Sequence, residues 1–74
     1  MLTIIETNVG TFQIDIDSRT TRQDVATTIA HKLGHRGARV PNSSSNSTWQ
    51  ILLGTPQGRG FVVERTITVY TFIS

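Results

Sequence analysis

The clearest pattern along the chain is a helical one in residues 20–34. Thr20 can cap the first turn, with Gln23 three residues later as its capping-box partner. Gly34 is the residue type that most often ends a helix in the left-handed conformation. Between these ends, apolar residues recur with the spacing of one helix face: Val25, Ala26, Ile29, Ala30 and Leu33. The pattern predicts a single amphipathic helix.

The segments on both sides of this helix alternate apolar and polar residues with a period of two, as half-buried strands do. Strands are predicted at residues 1–6, 12–16, 49–53, 61–63 and 66–73. The turn formers Asn8 and Gly10, which tolerate positive φ, join the first two strands into an antiparallel hairpin. Residues 54–60 predict a turn. Glu64 and Arg65 leave open whether the last two segments form one strand or two.

These elements predict one α+β domain over residues 1–74, because the helix must bury its apolar face on the sheet. Residues 35–48, rich in Gly, Ser and Asn, are predicted to form a mobile surface loop. The chain has no cysteine, and no basic segment followed by a long apolar run. We therefore expect a cytoplasmic protein without disulfide, leader or membrane span.

The order of the predicted elements resembles the β-grasp fold of ubiquitin. The resemblance covers most of the chain and consists of apolar and turn residues rather than a signature motif: Gly10, Phe12, Ile14, Ile16, Val25, Ile29, Gly34 and the segments 50–54 and 67–70. It implies a ubiquitin-like β-grasp, a mixed sheet of four to five strands with one helix packed across it. The first and last strands would then lie parallel at the sheet centre. Bacterial ubiquitin-like proteins associated with type VII secretion are similar in size.

The end of the sequence departs from the ubiquitin pattern. Ubiquitin and the related sulfur carriers end in Gly-Gly, a flexible tail that an activating enzyme adenylates. This sequence ends in Tyr-Thr-Phe-Ile-Ser at residues 70–74, inside or directly after a predicted strand. Lys32 is its only lysine. The resemblance therefore implies a non-conjugating protein, which does not act as a carrier.

Residues that could carry chemistry do not form a catalytic pattern. His31 and His35 have the spacing of metal ligands on a helix, but Gly34 lies between them and no third ligand is near in sequence. Asp15 and Asp17 fall on the solvated face of one predicted strand, whereas a hydrolytic pair needs two carboxylates facing across a cleft. We expect no catalytic residue, no metal and no cofactor, and hence no enzyme.

The remaining candidate is a surface on the sheet. If Trp49 and the alternate residues after it face the helix, Gln50 and Leu52 turn outward, and Tyr70 and Phe72 turn outward on the neighbouring strand. Leu52 and Tyr70 also match positions of the sheet patch through which ubiquitin is bound. A bulge near Thr71 would instead turn Tyr70 or Phe72 inward. The predicted partner-binding residues are Leu52, Tyr70 and Phe72, with Gln50 and Thr68 at the rim.

The sequence thus favours a non-enzymatic protein–protein interaction module, with a homodimer as one version of it. Two alternatives remain open. A phage-type inhibitor of a host enzyme would use the same patch or the loop at 42–48. A small basic nucleic-acid binder is consistent with the net charge of +2, although such proteins usually carry a denser basic patch. Its contact residues would be Arg19, Arg22, Arg36, Arg39 and Arg59.

Overall fold

The fold consists of two β-hairpins, one helix and one short extra strand. The computed structural model describes residues 1–42 and 47–73. The elements in chain order are β1 (Leu2–Thr7), β2 (Gly10–Asp15), α1 (Arg22–Lys32), β3 (Gly37–Arg39), β4 (Trp49–Gln57) and β5 (Gly60–Val69). These strands form one antiparallel sheet in the order β2-β1-β5-β4-β3, curled into a half-barrel with the helix against its buried face.

The predicted β-grasp with a mixed sheet is wrong. β1 and β5 are antiparallel neighbours, paired at Thr7 and Val69, whereas a β-grasp requires them to be parallel. The physical reason lies in the segment predicted as a loop at 35–48. Residues 37–39 of that segment form β3, which pairs antiparallel with β4 and so reverses the chain once more before β4 begins. Residues 43–46 of the same predicted loop lie outside the described residues.

The first hairpin turns through two residues, Asn8 and Val9. Thr7 closes the turn, since its hydroxyl donates to the carbonyl oxygen of Gly10 (2.7 Å) and accepts from the N–H of Val9 (3.1 Å). Gly10 has φ +131°, a conformation that favours glycine. Asn8 was named as a turn residue because asparagine tolerates positive φ, but its φ is not positive in the structure. Its side-chain oxygen instead accepts from the N–H of Thr68 on β5 (2.9 Å).

The helix confirms the predicted apolar face and corrects its start. Thr21, not Thr20, is the N-cap, and the capping-box partner is Asp24 rather than Gln23. The Thr21 hydroxyl accepts from the Asp24 N–H (3.1 Å), and the Asp24 carboxylate accepts from the Thr21 N–H (3.0 Å). Gly34 follows the helix with φ +83°, as predicted. The buried helix residues are Val25, Ala26, Ile29 and Ala30.

β4 and β5 form one long hairpin, longer than the sequence predicted. β4 continues to Gln57, so the predicted turn shortens to Gly58 and Arg59, where Gly58 has φ +59°. β5 is a single strand that ends at Val69, and the register shifts at Glu64, where one extra residue forms a β-bulge. Residues 61–69, for which the sequence left open one strand or two, therefore belong to one strand with a bulge at Glu64.

The core lies between the helix and the inner face of the sheet. Trp49 is 2% exposed, so its side of β4 faces the helix, as the predicted sheet patch assumed. Large side chains from β1, α1, β4 and β5 are fully enclosed, and at about 1.5–3 kcal/mol each their burial is the main stabilising contribution to the fold. The buried apolar residues are Ile5, Ile14, Val25, Ala26, Ile29, Ala30, Trp49, Ile51, Leu53, Ile67, Val69 and Ile73.

The two hairpins join along a short seam between β1 and β5. Thr7 and Val69 are its single residue pair in the described chain. Beside that pair, the N–H of Asn8 donates to the carbonyl oxygen of Thr68 (3.0 Å), and the Asn8 side chain accepts from the Thr68 N–H. A side chain therefore takes the place of a backbone partner at one end of the seam.

At the other end of the seam, the Thr71 side chain takes the place of a backbone hydrogen-bond partner. Its hydroxyl accepts from the N–H of Glu6 (2.7 Å) and donates to the carbonyl oxygen of Ile4 (3.3 Å). Its own carbonyl oxygen accepts from the indole N–H of Trp49 (2.8 Å). The chain can therefore leave the β5 strand after Val69 while the exposed backbone groups of β1 keep a hydrogen-bond partner.

Thr71→Val tests the contribution of the seam. Valine keeps the shape of threonine but leaves the N–H of Glu6 and the carbonyl of Ile4 without the hydroxyl, so we expect the free energy of unfolding to fall by about 1 kcal/mol. Thr11→Val is the matched control, because the Thr11 hydroxyl on β2 forms no hydrogen bond with any of residues 1–42 and 47–73. Urea denaturation measures both; equal stabilities for the two variants would contradict the role of Thr71.

Gly54→Ala tests the close approach of β4 and β5 at the bulge. A Cβ at Gly54 would overlap the backbone oxygen of Val62, so strand separation must increase. We expect a loss of about 2–3 kcal/mol in the free energy of unfolding. Gly60→Ala, where the nearest atom to the new methyl is the Gln57 oxygen at 3.6 Å, should stay within about 1 kcal/mol of the wild type. Similar losses in both would show that Gly54 is not specially constrained.

Candidate functional site

The outer face of β1 carries exposed apolar side chains. Alternation along the strand places Ile5 and Thr7 in the core and turns the residues between them outward. Leu2 is 69% exposed and Ile4 56% exposed. These fractions are high for large aliphatic side chains in the middle of a sheet, where burial contributes most to stability.

Tyr70 lies beside this strand on the same outer face. It follows the buried Val69, and its N–H donates to the carbonyl oxygen of Glu6 (2.8 Å), which places it next to β1. The Tyr70 side chain is 50% exposed. Leu2, Ile4 and Tyr70 together are called the outer patch below.

Three other predicted contact residues share the outer face but lie farther along the sheet. Gln50 is exposed and pairs with the partly buried Thr68, two residues before Tyr70. Leu52 is partly buried and pairs with Thr66. The polar row of Gln50 and Thr68 therefore separates Leu52 from Tyr70, and the predicted continuous patch of leucine and aromatic residues is divided.

Phe72 lies away from the outer patch, close to the helix start. The Arg22 guanidinium is 5.8 Å from the centre of the Phe72 ring and 5.3 Å from the centre of the Trp49 ring. The Arg22 Nε–H also donates to the carbonyl oxygen of Ile73 (2.8 Å). Phe72 is 64% exposed. It belongs to an arginine–aromatic cluster on the helix side of the sheet rather than to the surface with Tyr70.

Leu2 and Ile4 were missed by the sequence reasoning. The segment from Leu2 to Thr7 has apolar residues at both parities, and Ile4 and Ile5 are adjacent. The alternation of apolar and polar residues therefore cannot tell whether the even-numbered or the odd-numbered residues of β1 face the core. One signal was present, since Glu6 has the parity of Leu2 and Ile4, and a charged residue marks the solvent side of a strand.

The two histidines do not act together. His31 is exposed in the last helical turn, and His35 follows the helix. Nδ1 of His35 lies 2.9 Å from Oε1 of Glu64, the bulged residue of β5, and must donate when that carboxylate is ionised. The His35 hydrogen bond, followed by one from the Thr55 hydroxyl (3.3 Å), lowers the pKa of Glu64 below its ordinary value. Among the described residues, no three His, Cys, Asp or Glu side chains are grouped to hold a metal ion.

Asp15 and Asp17 also bond to different groups and do not act as a pair. The Asp15 carboxylate accepts from the amino group of Met1 (2.6 Å). The Asp17 carboxylate closes the turn before the helix, accepting from the N–H of Arg19 (2.8 Å) and the hydroxyl of Thr20 (3.2 Å). Those hydrogen bonds, the Arg19 one first, lower the pKa of Asp17. The structure thus gives Asp17 a role in the turn and Asp15 an ion pair with the Met1 amino group, rather than joining the two in a carboxylate pair across a cleft.

The arginines proposed for nucleic-acid binding are spread over several elements. Arg22 is held against Trp49 and Phe72 as described above, and the Arg39 guanidinium lies 5.0 Å from the ring centre of Phe61. Arg19 precedes the helix, Arg36 follows it and Arg59 is in the β4–β5 turn. Two of these five cations therefore already contact aromatic rings of the chain itself.

The described residues enclose no pocket of ligand size. No helix within residues 1–42 and 47–73 is long and apolar enough to span a membrane. Comparison of the chain with protein-family models, with curated proteins and with solved structures found no match.

Glu64→Gln tests the bond between the helix end and the bulge. Because its folded pKa is lowered, the ionised Glu64 stabilises the fold above its ordinary pKa of about 4.3, and this contribution is lost as pH falls through the folded pKa. Between about pH 6 and pH 3, we expect wild-type stability to fall more steeply than that of Glu64→Gln.

Asp17 is present in both proteins, so the difference between their urea-denaturation curves isolates Glu64. Glu6→Gln is the matched control, since within the described part of the chain the Glu6 carboxylate has no hydrogen bond or ion pair. Parallel pH profiles for wild type and Glu64→Gln would show that the His35–Glu64 bond contributes nothing to stability.

Proposed function

We propose that this chain is a protein-binding module that acts without catalysis and contacts its partner through the outer patch. The observation that carries the proposal is the exposure of Ile4 (56%) and Tyr70 (50%) on a sheet face that no other described element covers, where Tyr70 bonds β1 at Glu6, two residues from Ile4. Leu2 extends the same surface along β1.

Physical chemistry favours a protein as the ligand of such a surface. Exposed aliphatic and aromatic side chains gain free energy when another apolar surface displaces the water over them. Tyrosine is enriched at protein interfaces because its ring provides apolar area and its hydroxyl still forms a hydrogen bond. The solvated outer face of the curled sheet suits a partner surface better than a small ligand, which needs a concave site.

Polar groups around the outer patch provide a rim for the interface. Glu6 lies between Ile4 and the first turn on the same face, and Gln13 of β2 is directly opposite Ile4. Gln50 and Thr68 border Tyr70 on the β4 side. An apolar centre with a polar border is the usual arrangement of a non-obligate interface.

Affinity capture from an extract of the source cells tests the proposal, with the immobilised wild type compared with Ile4→Lys and Tyr70→Ala. Both changes lie at exposed positions, so the fold should persist, as circular dichroism and the melting temperature can verify. We expect a captured protein to be retained at high salt by the wild type and to be lost, at least tenfold, from both variants. Titration of the purified captured protein against each variant then measures the change in Kd.

Val62→Lys is the matched control, because Val62 is similarly exposed (46%) but lies on the β4–β5 hairpin. Equal capture by wild type and all three variants would exclude the outer patch as the binding surface. Recovery of nucleic acid alone, and at low salt alone, would favour the arginine surface instead, since such binding weakens steeply as salt rises.

A further inference from the structure

Glu6 and Tyr70 lie opposite each other on the outer face of the sheet. Thr7 and Val69 form the residue pair of the seam, and both side chains are buried. The hydrogen bond from the Tyr70 N–H to the Glu6 carbonyl oxygen (2.8 Å) lies directly beside that pair. Because neighbouring residues of a strand point to opposite faces, Glu6 and Tyr70 form the adjacent cross-strand pair and point outward.

The Glu6 side chain is exposed, and its carboxylate has no hydrogen bond or ion pair with residues 1–42 and 47–73. The other four carboxylates of the chain are bonded, namely those of Asp15 to the Met1 amino group, Asp17 to the turn before the helix, Asp24 to the helix cap and Glu64 to His35. Glu6 is therefore the one carboxylate of the described chain that is available to an outside group.

The β1–β2 hairpin, which carries Glu6, has no cationic side chain of its own. All seven lysine and arginine residues come after residue 18, whereas residues 1–18 contain three of the five acidic residues. The hairpin lies at one edge of the sheet, in the order β2-β1-β5-β4-β3. This end of the sheet is therefore negative in a chain whose net charge is +2, and it attracts a positively charged group.

The Tyr70 ring also lacks a cation, unlike two other aromatic rings of the chain. The Arg22 guanidinium lies 5.8 Å from the centre of the exposed Phe72 ring, and the Arg39 guanidinium lies 5.0 Å from that of Phe61. In the part of the chain that the structure describes, no arginine or lysine lies over Tyr70. The face of a tyrosine ring attracts a guanidinium, so this position suits an arginine from outside.

Covering the outer patch takes Glu6 out of water. Glu6 is opposite Tyr70 and two residues from Ile4 on the same face, so a partner that covers both apolar side chains also encloses the carboxylate between them. Enclosing an ionised carboxylate without a counter-charge is strongly unfavourable. A stable complex therefore requires the partner to bring a cation to Glu6.

We propose that the outer patch recognises an arginine side chain of its protein partner, with the Glu6 carboxylate and the Tyr70 ring as the two contacts. This inference rests on the proposed function of the outer patch. A guanidinium is planar, so it can stack on the ring while its N–H groups donate to the carboxylate. Ile4 offers apolar surface to the alkyl part of the same side chain. Arginine is also enriched at protein interfaces, whereas lysine is depleted.

NMR titration of the isotope-labelled protein with a short peptide tests the recognition of arginine. The probe is acetyl-Leu-Arg-Leu-amide, and the control is acetyl-Leu-citrulline-Leu-amide, in which a neutral urea group replaces the guanidinium at nearly the same size. We expect the arginine peptide to shift the amide signals of residues 4–7 and 70. Its Kd should be about tenfold lower than that of the citrulline peptide, because only the guanidinium forms a charged hydrogen bond.

Variants of the two contact residues separate their contributions. Glu6→Gln keeps the shape of the side chain and should raise the Kd of the arginine peptide about tenfold, with little change for the citrulline peptide. Glu64→Gln is the matched control, because it changes the net charge equally at a carboxylate that is bonded to His35. It should bind like the wild type. Tyr70→Phe should also bind like the wild type, and Tyr70→Ala severalfold more weakly, since only the first keeps a ring.

Equal affinity of the wild type for the two peptides would overturn this inference. So would equal affinity of the wild type and Glu6→Gln for the arginine peptide, or shifts confined to residues outside β1 and Tyr70. None of these results contradicts the proposed function, which is measured by the loss of a captured protein in Ile4→Lys. Conversely, arginine binding at Glu6 combined with capture that Ile4→Lys leaves unchanged would keep the arginine site and overturn the proposed function.

Discussion

The sheet depends on the seam where the β1–β2 hairpin meets the β4–β5 hairpin. Among the described residues Thr7 and Val69 supply its single residue pair, and the side chains of Asn8 and Thr71 complete the hydrogen bonding on either side. A fully paired ladder would hold β1 and β5 side by side over their whole length. Replacing ladder bonds by two side chains lets the strands diverge while their backbone groups stay satisfied. The half-barrel, with the helix against its buried face, follows from that divergence.

The bulge at Glu64 has consequences on both sides of β5. On the helix side it presents the Glu64 carboxylate to His35 and Thr55, which links the helix end to the hairpin. The close approach at Gly54, where a Cβ would overlap the oxygen of Val62, is the packing cost of the same irregularity. A single extra residue thus affects both the packing of the hairpin and the position of a charged side chain.

Local pattern determined much of the architecture. The helix face of Val25 and Ile29, its end at Gly34, the first hairpin and the core position of Trp49 all follow from periodicity and turn chemistry acting within a few residues. The exact helix start was shifted by one residue, because Thr20 with Gln23 and Thr21 with Asp24 both have the spacing of a capping box, and the structure uses the second pair.

The tertiary structure decided two things that an alternating sequence pattern leaves open: the direction of each strand and which of its faces is buried. Strand direction depends on the number of reversals along the chain, and the three-residue strand β3 was too short and too polar to be found, so the β-grasp prediction was wrong. The exposed face of β1 depends on which parity packs on the helix, and both parities are apolar there, so Leu2 and Ile4 were missed. Phe72 was grouped with Tyr70 because the chain was assumed to stay extended past Val69, whereas the Thr71 hydrogen bonds to β1 lead it toward Arg22. Local sequence determines that a segment alternates, and long-range contacts determine which of its two faces is buried.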